Sequence, residues 1–208
     1  MMLNEALEPM LRTSISANNV SRNFFKEIEE QSRSIALIGM PGAGKSTIGK
    51  LLAKSLGWQF VDTDDKIKLH AGLCLQDIIN QSGYLYLREL EEKLLSKMQI
   101  KSRTVVATGG SIVYSEKAMS HISKTTVMIY LRVPVPILMN RIHDFDNRGI
   151  ACEPNQTFED LFTERNLLYQ KYSDLCIDCD KSDIEKTVAK ISIQLCDYCR
   201  TDRSDDTR

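Results

Sequence analysis

The chain has 208 residues, and 42% of them are hydrophobic, which suits one α/β domain with a substantial core. Its 27 lysine and arginine residues nearly balance its 28 aspartate and glutamate residues, and the formal net charge is −1. This balance argues against a bulk attraction to nucleic acid or to a membrane surface. The apolar runs are far shorter than a bilayer-spanning helix, so we expect neither a nucleic acid nor a membrane as partner.

Residues 1–33 carry apolar side chains at helical spacing and are predicted to form an N-terminal helical extension. The first residues include Glu5 and Glu8 and lack a basic stretch before an apolar one, which argues against a secretory signal. We therefore expect a cytoplasmic protein, and we expect it to be a monomer.

From Ser34 onward, short apolar runs alternate with helical patterns, which indicates a parallel sheet covered by helices on both faces. The predicted strands are Ser34–Gly39, Gln59–Asp62, Thr104–Thr108, Thr126–Val133 and Leu175–Cys179. The predicted helices are Lys45–Leu56, Asp65–Gln81, Tyr84–Ile100, one that begins near Pro134, Thr157–Tyr172 and Ile184–Leu195. This domain spans 34–197, with a polar loop at about 144–156, and the tail 198–208 is predicted to be disordered.

The first predicted strand runs into Gly39-Met-Pro-Gly-Ala-Gly-Lys-Ser-Thr47, which matches the phosphate-loop pattern G-x-x-x-x-G-K-[ST] completely. Glycines allow the backbone N–H groups to approach phosphates, and the helix N-terminus adds partial positive charge. Lys45 would neutralise the β- and γ-phosphates, and the hydroxyl of Ser46 would bind Mg²⁺. The predicted ATP-binding residues of this loop are Gly42, Ala43, Gly44, Lys45, Ser46 and Thr47.

Two carboxylates, Asp62 and Asp64, lie at the C-terminal end of the second predicted strand. A carboxylate at this end of a strand can hold the water shell of Mg²⁺ or accept a proton from a substrate hydroxyl. On the helix after them, Arg88 and Glu91 are three residues apart, so Glu91 is predicted to orient Arg88.

Together these segments resemble the shikimate kinase family of small P-loop kinases, over about 34–195. The matching motifs, in chain order, are GMPGAGKSTIG, the DTD pair, LRELEE, ATGG and ERNLLY. The resemblance implies a three-layer P-loop kinase fold with a five-stranded parallel sheet, flanking helices and a mobile lid at about 144–156. It also implies phosphorylation of the 3-hydroxyl of shikimate by ATP with Mg²⁺, a step of aromatic amino acid biosynthesis.

The resemblance further implies a role for each matching position. Asp62, with Ser46, would hold the magnesium shell, and Asp64 would bind the substrate hydroxyls and accept the proton. Two arginines, Arg88 and Arg165, would bind the substrate carboxylate, for which a planar guanidinium is suited.

The remaining implied roles concern the lid and the floor of the pocket. Gly109 and Gly110 would offer backbone contacts to the substrate. Arg141 would pack against adenine, and Arg148 would be the catalytic lid arginine that closes over the transferred phosphate.

Three positions depart from the family pattern. Ser111 stands in place of a third glycine, Gly149 in place of the lid proline, and Leu167 in place of the proline after the E-R-N residues. Two alternatives therefore stay open. One is a related kinase that acts on another hydroxy acid, a polyol or a nucleotide, and the other is a nucleotide-binding protein without catalysis.

Four of the six cysteines lie in two C-x₂-C motifs, Cys176 with Cys179 and Cys196 with Cys199. This spacing resembles a four-thiolate zinc site. The competing interpretation is buried thiols, because Cys176 and Cys179 lie in a predicted strand, where residues three apart point to opposite faces.

Overall fold

The computed structural model describes residues 33–142, 149–179 and 183–205. The predicted N-terminal extension lies outside this part of the chain, apart from its last residue. Within the described residues, none of the helices is long and apolar enough to cross a membrane.

Five parallel strands form one sheet with the order β2-β3-β1-β4-β5. The strands are β1 Ser34–Ile38, β2 Gln59–Asp62, β3 Thr104–Ala107, β4 Thr126–Arg132 and β5 Leu175–Asp178. Every residue of β1 and β3 is buried, because helices cover both faces of the sheet. The predicted α/β class and five-stranded parallel sheet are confirmed.

Seven α-helices and one short 3₁₀ helix accompany the strands within the described residues. The helices are α1 Lys45–Leu56, α2 Thr63–Ala71, α3 Leu75–Leu95, α4 Glu116–Ser123, α5 Val135–Arg141, α6 Phe158–Tyr172 and α7 Ile184–Asp205. The 3₁₀ helix is Ile112–Tyr114. Neither it nor α4 was predicted from the sequence.

The predicted helix boundaries between β2 and β3 are wrong. Helix α2 begins at Thr63 rather than Asp65, because the side chain of Asp62 caps it by accepting from the backbone N–H of Asp64. It ends before Gly72, which adopts the left-handed conformation that terminates helices. The break predicted between Gln81 and Tyr84 is present as a kink at Gly83, whose φ of 84° and ψ of 163° are not helical, so α3 consists of two helical segments.

The C-terminal helix is longer than predicted. Helix α7 runs through 198–205, so the prediction of a disordered tail is wrong for these residues. Its N-terminal half packs on the core through Val188 and Ile191, both buried.

The topology brings three loops to one edge of the sheet, because parallel strands all end on the same side. The loop after β1 leads into α1, the end of β2 leads directly into α2, and β3 leads into Gly109 and Gly110. The strand order places β1 beside β3 and β3 beside β2, so these three chain ends are neighbours.

Candidate active site

The loop between β1 and α1 wraps around its own lysine. The ammonium group of Lys45 donates to the carbonyl oxygens of Gly39 at 2.8 Å and Met40 at 2.9 Å. Burial lowers the pKa of Lys45 to about 8, partly opposed by the nearby carboxylate of Asp64. The cation is thus held inside the loop, where an anionic phosphate would restore its preference for the charged form.

Ser46 and Asp62 bring two oxygen ligands together at the mouth of this loop. The hydroxyl of Ser46 donates to Oδ2 of Asp62 at 2.6 Å. Mg²⁺ favours a few hard oxygen ligands from protein and keeps several waters or phosphate oxygens. The two side chains fit that requirement, and bound Mg²⁺ would neutralise charge on the phosphates.

Asp64 is the second residue of α2 and faces the cavity beside the phosphate loop. Its Oδ1 atom is buried and has no hydrogen-bond partner among the described residues. Burial and the neighbouring carboxylate of Asp62 raise the pKa of Asp64, against the attraction of Lys45. An unpartnered carboxylate oxygen at this place can accept a hydrogen bond from a substrate hydroxyl.

Gly109 lies between two carboxylates. A Cβ atom added to it would collide with Oε1 of Glu91 and would lie 2.9 Å from Oδ1 of Asp64. Its backbone N–H donates to the hydroxyl of Thr63 at 2.9 Å, which fixes the glycine beside the start of α2. A side chain at this position would therefore require both carboxylates to move.

Glu91 is buried and accepts a hydrogen bond from the hydroxyl of Ser111. Burial raises the pKa of Glu91 to about 7, although Ser111 and the two nearby arginines oppose this. Glu91 therefore holds the loop after β3, and the predicted ion pair between Glu91 and Arg88 does not form. Ser111, the first departure from the family pattern, supplies the contact that replaces it.

Gly110 separates the phosphate loop from Arg165. A Cβ atom on this glycine would lie 3.0 Å from Cδ of Pro41 and 3.1 Å from Nη1 of Arg165. Its carbonyl oxygen accepts from the hydroxyl of Tyr169 at 2.6 Å. The phosphate loop and Arg165 therefore lie next to the same residue, Gly110.

Arg88 on α3 and Arg165 on α6 converge on one oxygen atom. Nη2 of Arg88 lies 3.2 Å, and Nη2 of Arg165 lies 2.5 Å, from the carbonyl oxygen of Ala151. Each guanidinium also has a buried nitrogen without a partner among the described residues, Nε of Arg88 and Nη1 of Arg165. Arg165 and Ala151 line the cavity, whereas Arg88 does not line it and is connected to it through its hydrogen bond to Ala151.

The end of the predicted lid is docked on α3. The N–H of Gly149 donates to the side chain of Gln76 at 2.6 Å, and Ala151 is buried among apolar residues that include Ile78 and Leu87. Gly149 has a φ of 66°, which a proline cannot adopt, so the second departure from the family pattern matches the local backbone. Leu167, the third departure, is an exposed residue of α6.

Of the two other predicted arginines, the structure describes Arg141 and does not describe Arg148. Nη1 of Arg141 donates to the carbonyl of Gly42 at 3.2 Å, and Arg141 lines the cavity beside the phosphate loop. Arg148 lies outside the described residues, as do the other residues of 143–148.

These groups enclose a cavity of about 600 Å³, within the range of small-molecule binding sites. At one end it is lined by the phosphate loop, and at the other by Asp64, Glu91 and Arg165. One cavity therefore joins an anion-binding loop, a carboxylate and a cationic patch. Such a combination can align a phosphate donor with a hydroxylated acid.

Several contributors to the site were not predicted from the sequence. They are Thr63, Ser111 as the partner of Glu91, Tyr114 beside the arginines, Tyr169 and the carbonyl of Ala151. The only sequence signal for them was their position next to a predicted motif, because their partners lie far away along the chain.

The four paired cysteines do not assemble into a metal centre. Cys179, Cys196 and Cys199 are buried, Cys176 is half-buried, and none forms a disulfide. Within the described part of the chain, no group of three or more histidine, cysteine, aspartate or glutamate side chains could hold a metal ion. Burial raises the pKa of Cys179 to about 11, so its thiol stays protonated.

Comparison with protein families identifies one that matches most of the chain. The family model described as shikimate kinase matches residues 41–196. A shikimate kinase of Thermodesulfovibrio yellowstonii is 34% identical over 161 residues, which cover 76% of this chain and 92% of that protein. A shikimate kinase of Pasteurella multocida is also 34% identical, over 77% of this chain and 94% of that protein.

Solved structures give the same result. The shikimate kinase of Acinetobacter baumannii in complex with shikimate is 28% identical with a TM-score of 0.71, over 78% of this chain and 92% of that one. The shikimate kinase of Aquifex aeolicus is 30% identical with a TM-score of 0.64, over 77% of this chain and 96% of that one.

Proposed function

The chain belongs to the shikimate kinase family, and on that premise we propose that it transfers the terminal phosphoryl group of ATP to the 3-hydroxyl of shikimate. It is a phosphotransferase that acts on an alcohol group. The products would be shikimate 3-phosphate and ADP. The cytoplasmic location and the monomeric state remain predictions.

One observation carries the choice of a hydroxylated carboxylic acid as the substrate. Five buried side-chain nitrogen or oxygen atoms of the described residues lack a hydrogen-bond partner, and three belong to Asp64, Arg88 and Arg165. Leaving such an atom unpaired costs about 1–3 kcal/mol, more for charged groups, so a ligand that pairs them binds with that gain. The two arginine nitrogens fit a carboxylate, and the aspartate oxygen fits a hydroxyl.

The residues of the site would have two tasks in this reaction: they would position the reactants and neutralise the negative charge of the phosphates. The backbone of the phosphate loop, with Lys45, would hold the phosphates of ATP, and Arg141 would pack against its adenine. Ser46 and Asp62 would hold Mg²⁺, which neutralises phosphate charge when it is bound. These groups would hold ATP, the phosphoryl donor, in place before shikimate binds.

On the acceptor side, Arg88 and Arg165 would hold the carboxylate, while the backbone of Gly109 and Gly110 would contact the ring. Asp64 would orient the 3-hydroxyl and accept its proton as the new P–O bond forms. Arg148 would approach the transferred phosphate when the lid at about 144–156 closes, and closure would exclude water.

The test measures ADP formed by the purified chain with Mg²⁺ and ATP, with and without shikimate, and identifies the phosphorylated product by NMR. Shikimate should raise the rate far above that of the Lys45→Ala variant, and the new phosphate should be on the 3-hydroxyl. If ADP appears only with gluconate or another hydroxy acid, the substrate assignment is wrong and the kinase assignment stands. If no hydroxy acid, polyol or nucleotide raises turnover above the Lys45→Ala background, the chain is a nucleotide-binding protein without catalysis.

A further inference from the structure

Tyr114 connects the two arginines of the proposed carboxylate site. It ends the 3₁₀ helix that follows the Gly109–Ser111 loop. Its ring centre lies 3.7 Å from Cζ of Arg88 and 5.3 Å from Cζ of Arg165. Its hydroxyl oxygen accepts from Nε of Arg165 at 3.3 Å. One side chain therefore touches both guanidinium groups.

Two arginine side chains that bind one carboxylate need a partner that orients them. Long side chains have many rotamers, and binding one carboxylate with two of them requires that both are already oriented. An acidic partner would orient them but would also neutralise the charge that the substrate needs. Within the described residues neither Arg88 nor Arg165 forms an ion pair, and the nearby carboxylate of Glu91 is bonded to Ser111.

An aromatic ring holds a guanidinium without supplying a negative charge, because its face attracts the cation through the ring quadrupole. Arg88 contacts a second ring as well, that of Tyr84 at 5.1 Å, one helical turn before it on α3. Arg88 therefore rests on aromatic faces while its Nε has no partner among the described residues.

We propose that Tyr114 is a positioning residue that holds both arginines ready for the carboxylate of the substrate. This inference rests on the proposed function, in which Arg88 and Arg165 bind that carboxylate. Tyr114 acts through the two guanidinium groups, so its contribution falls on the affinity for the acid and not on the affinity for ATP.

Two variants separate the two contacts of Tyr114. Tyr114→Phe keeps the ring and removes the hydroxyl that accepts from Arg165, and we expect the KM for shikimate to rise about 3-fold. Tyr114→Leu removes the ring as well, and we expect a rise of about 10-fold or more. The KM for ATP should stay unchanged in both variants, and the dissociation constant for shikimate from calorimetry should follow its KM.

A matched control is Tyr86→Leu, which removes a half-exposed tyrosine from the same helix as Arg88 and should leave both KM values unchanged. In an Arg88→Ala background, Tyr114→Leu should weaken shikimate binding by a smaller factor than in the wild-type protein, because part of its partner is gone. Thermal unfolding of each variant reports folding, and Tyr114→Phe carries the test if Tyr114→Leu is unfolded.

The inference is overturned if folded Tyr114→Phe and Tyr114→Leu bind shikimate as the wild-type protein does. It is also overturned if the KM values for ATP and shikimate rise together, or if the Arg88→Ala background leaves the effect of Tyr114→Leu undiminished. A wild-type protein that neither binds nor phosphorylates shikimate overturns the proposed function together with this inference, so the two failures are distinguishable.

Discussion

Arg88 and Arg165 donate hydrogen bonds to the same backbone oxygen, that of Ala151. The two residues come from different helices, α3 and α6, and their guanidinium groups meet only because α6 places Arg165 fully inside the protein. The shared oxygen holds the two guanidinium groups side by side, and each keeps one buried nitrogen without a partner among the described residues.

We expect Arg88→Lys and Arg165→Lys each to raise the KM for shikimate by about 10-fold or more, because an ammonium keeps the charge but loses the planar fork. The KM for ATP should not change. Steady-state kinetics with each substrate varied in turn checks this. Arg132→Lys is the control, since Arg132 forms an exposed ion pair with Asp178. Equal losses for both substrates would contradict the assignment.

Ser46→Ala and Asp62→Asn should each raise the Mg²⁺ concentration that gives the half-maximal rate by about 10-fold or more, because the first removes an oxygen ligand and the second removes the negative charge of the adjacent one. The measurement is a titration of the rate with MgCl₂ at constant ATP. Ser55→Ala is the matched control, because Ser55 lies on the same helix and its hydroxyl donates only to the backbone of Leu52. An unchanged Mg²⁺ requirement would remove Ser46 and Asp62 from the metal site.

Glu91 should make the stability of the protein depend on pH. Burial raises its pKa from 4.5 to about 7, so the folded chain holds more protons than the unfolded chain between these values. The contribution to stability is fully present below pH 4.5 and is lost as pH rises to about 7. By pH 8 the loss should approach roughly 3 kcal/mol, which the isosteric Glu91→Gln avoids.

Urea unfolding of the wild-type protein and Glu91→Gln at pH 5 and pH 8 measures this difference. The free energy of unfolding of Glu91→Gln should increase relative to that of the wild-type protein as pH rises. Glu92→Gln serves as the control, because Glu92 lies on the same helix, is only half-buried and accepts from Ser115. If the free energies of unfolding of the wild-type protein and Glu91→Gln differ by the same amount at pH 5 and pH 8, Glu91 does not cause the pH dependence.

Gly149→Ala should destabilise the docked end of the lid. The residue has a φ of 66°, and an added Cβ would lie 2.7 Å from Cβ of Leu75 and 2.9 Å from the backbone N of Gln76. Gly72→Ala is a matched control with the same φ of 66° and open space around the added atom. Both variants bear the strain of a positive φ, but Gly149→Ala should lose about 1–3 kcal/mol more in free energy of unfolding. If urea unfolding shows equal losses of free energy of unfolding for the two variants, Gly149 is not closely packed against Leu75 and Gln76.

The sequence predicted well those features that depend on neighbours along the chain. The bounds of β2 and α1 are as predicted, because apolar runs and the Gly57 cap at the end of α1 act locally. The predicted start of α2 is wrong because Asp62, which is predicted to hold the magnesium shell, is also the residue that caps this helix. Helix α4, capped by Ser115, was missed because it has only eight residues.

The sequence by itself determined the phosphate loop, the order of the five strands along the chain, and the identity of the charged groups, because each is encoded in residues close together in the chain. The tertiary structure alone decided that Glu91 bonds to Ser111 rather than to Arg88, and that Tyr114 contacts both arginines. Those contacts join the loop and 3₁₀ helix that follow β3 to residues of α3 and α6, and only the packing of helices on the sheet sets the distances between them.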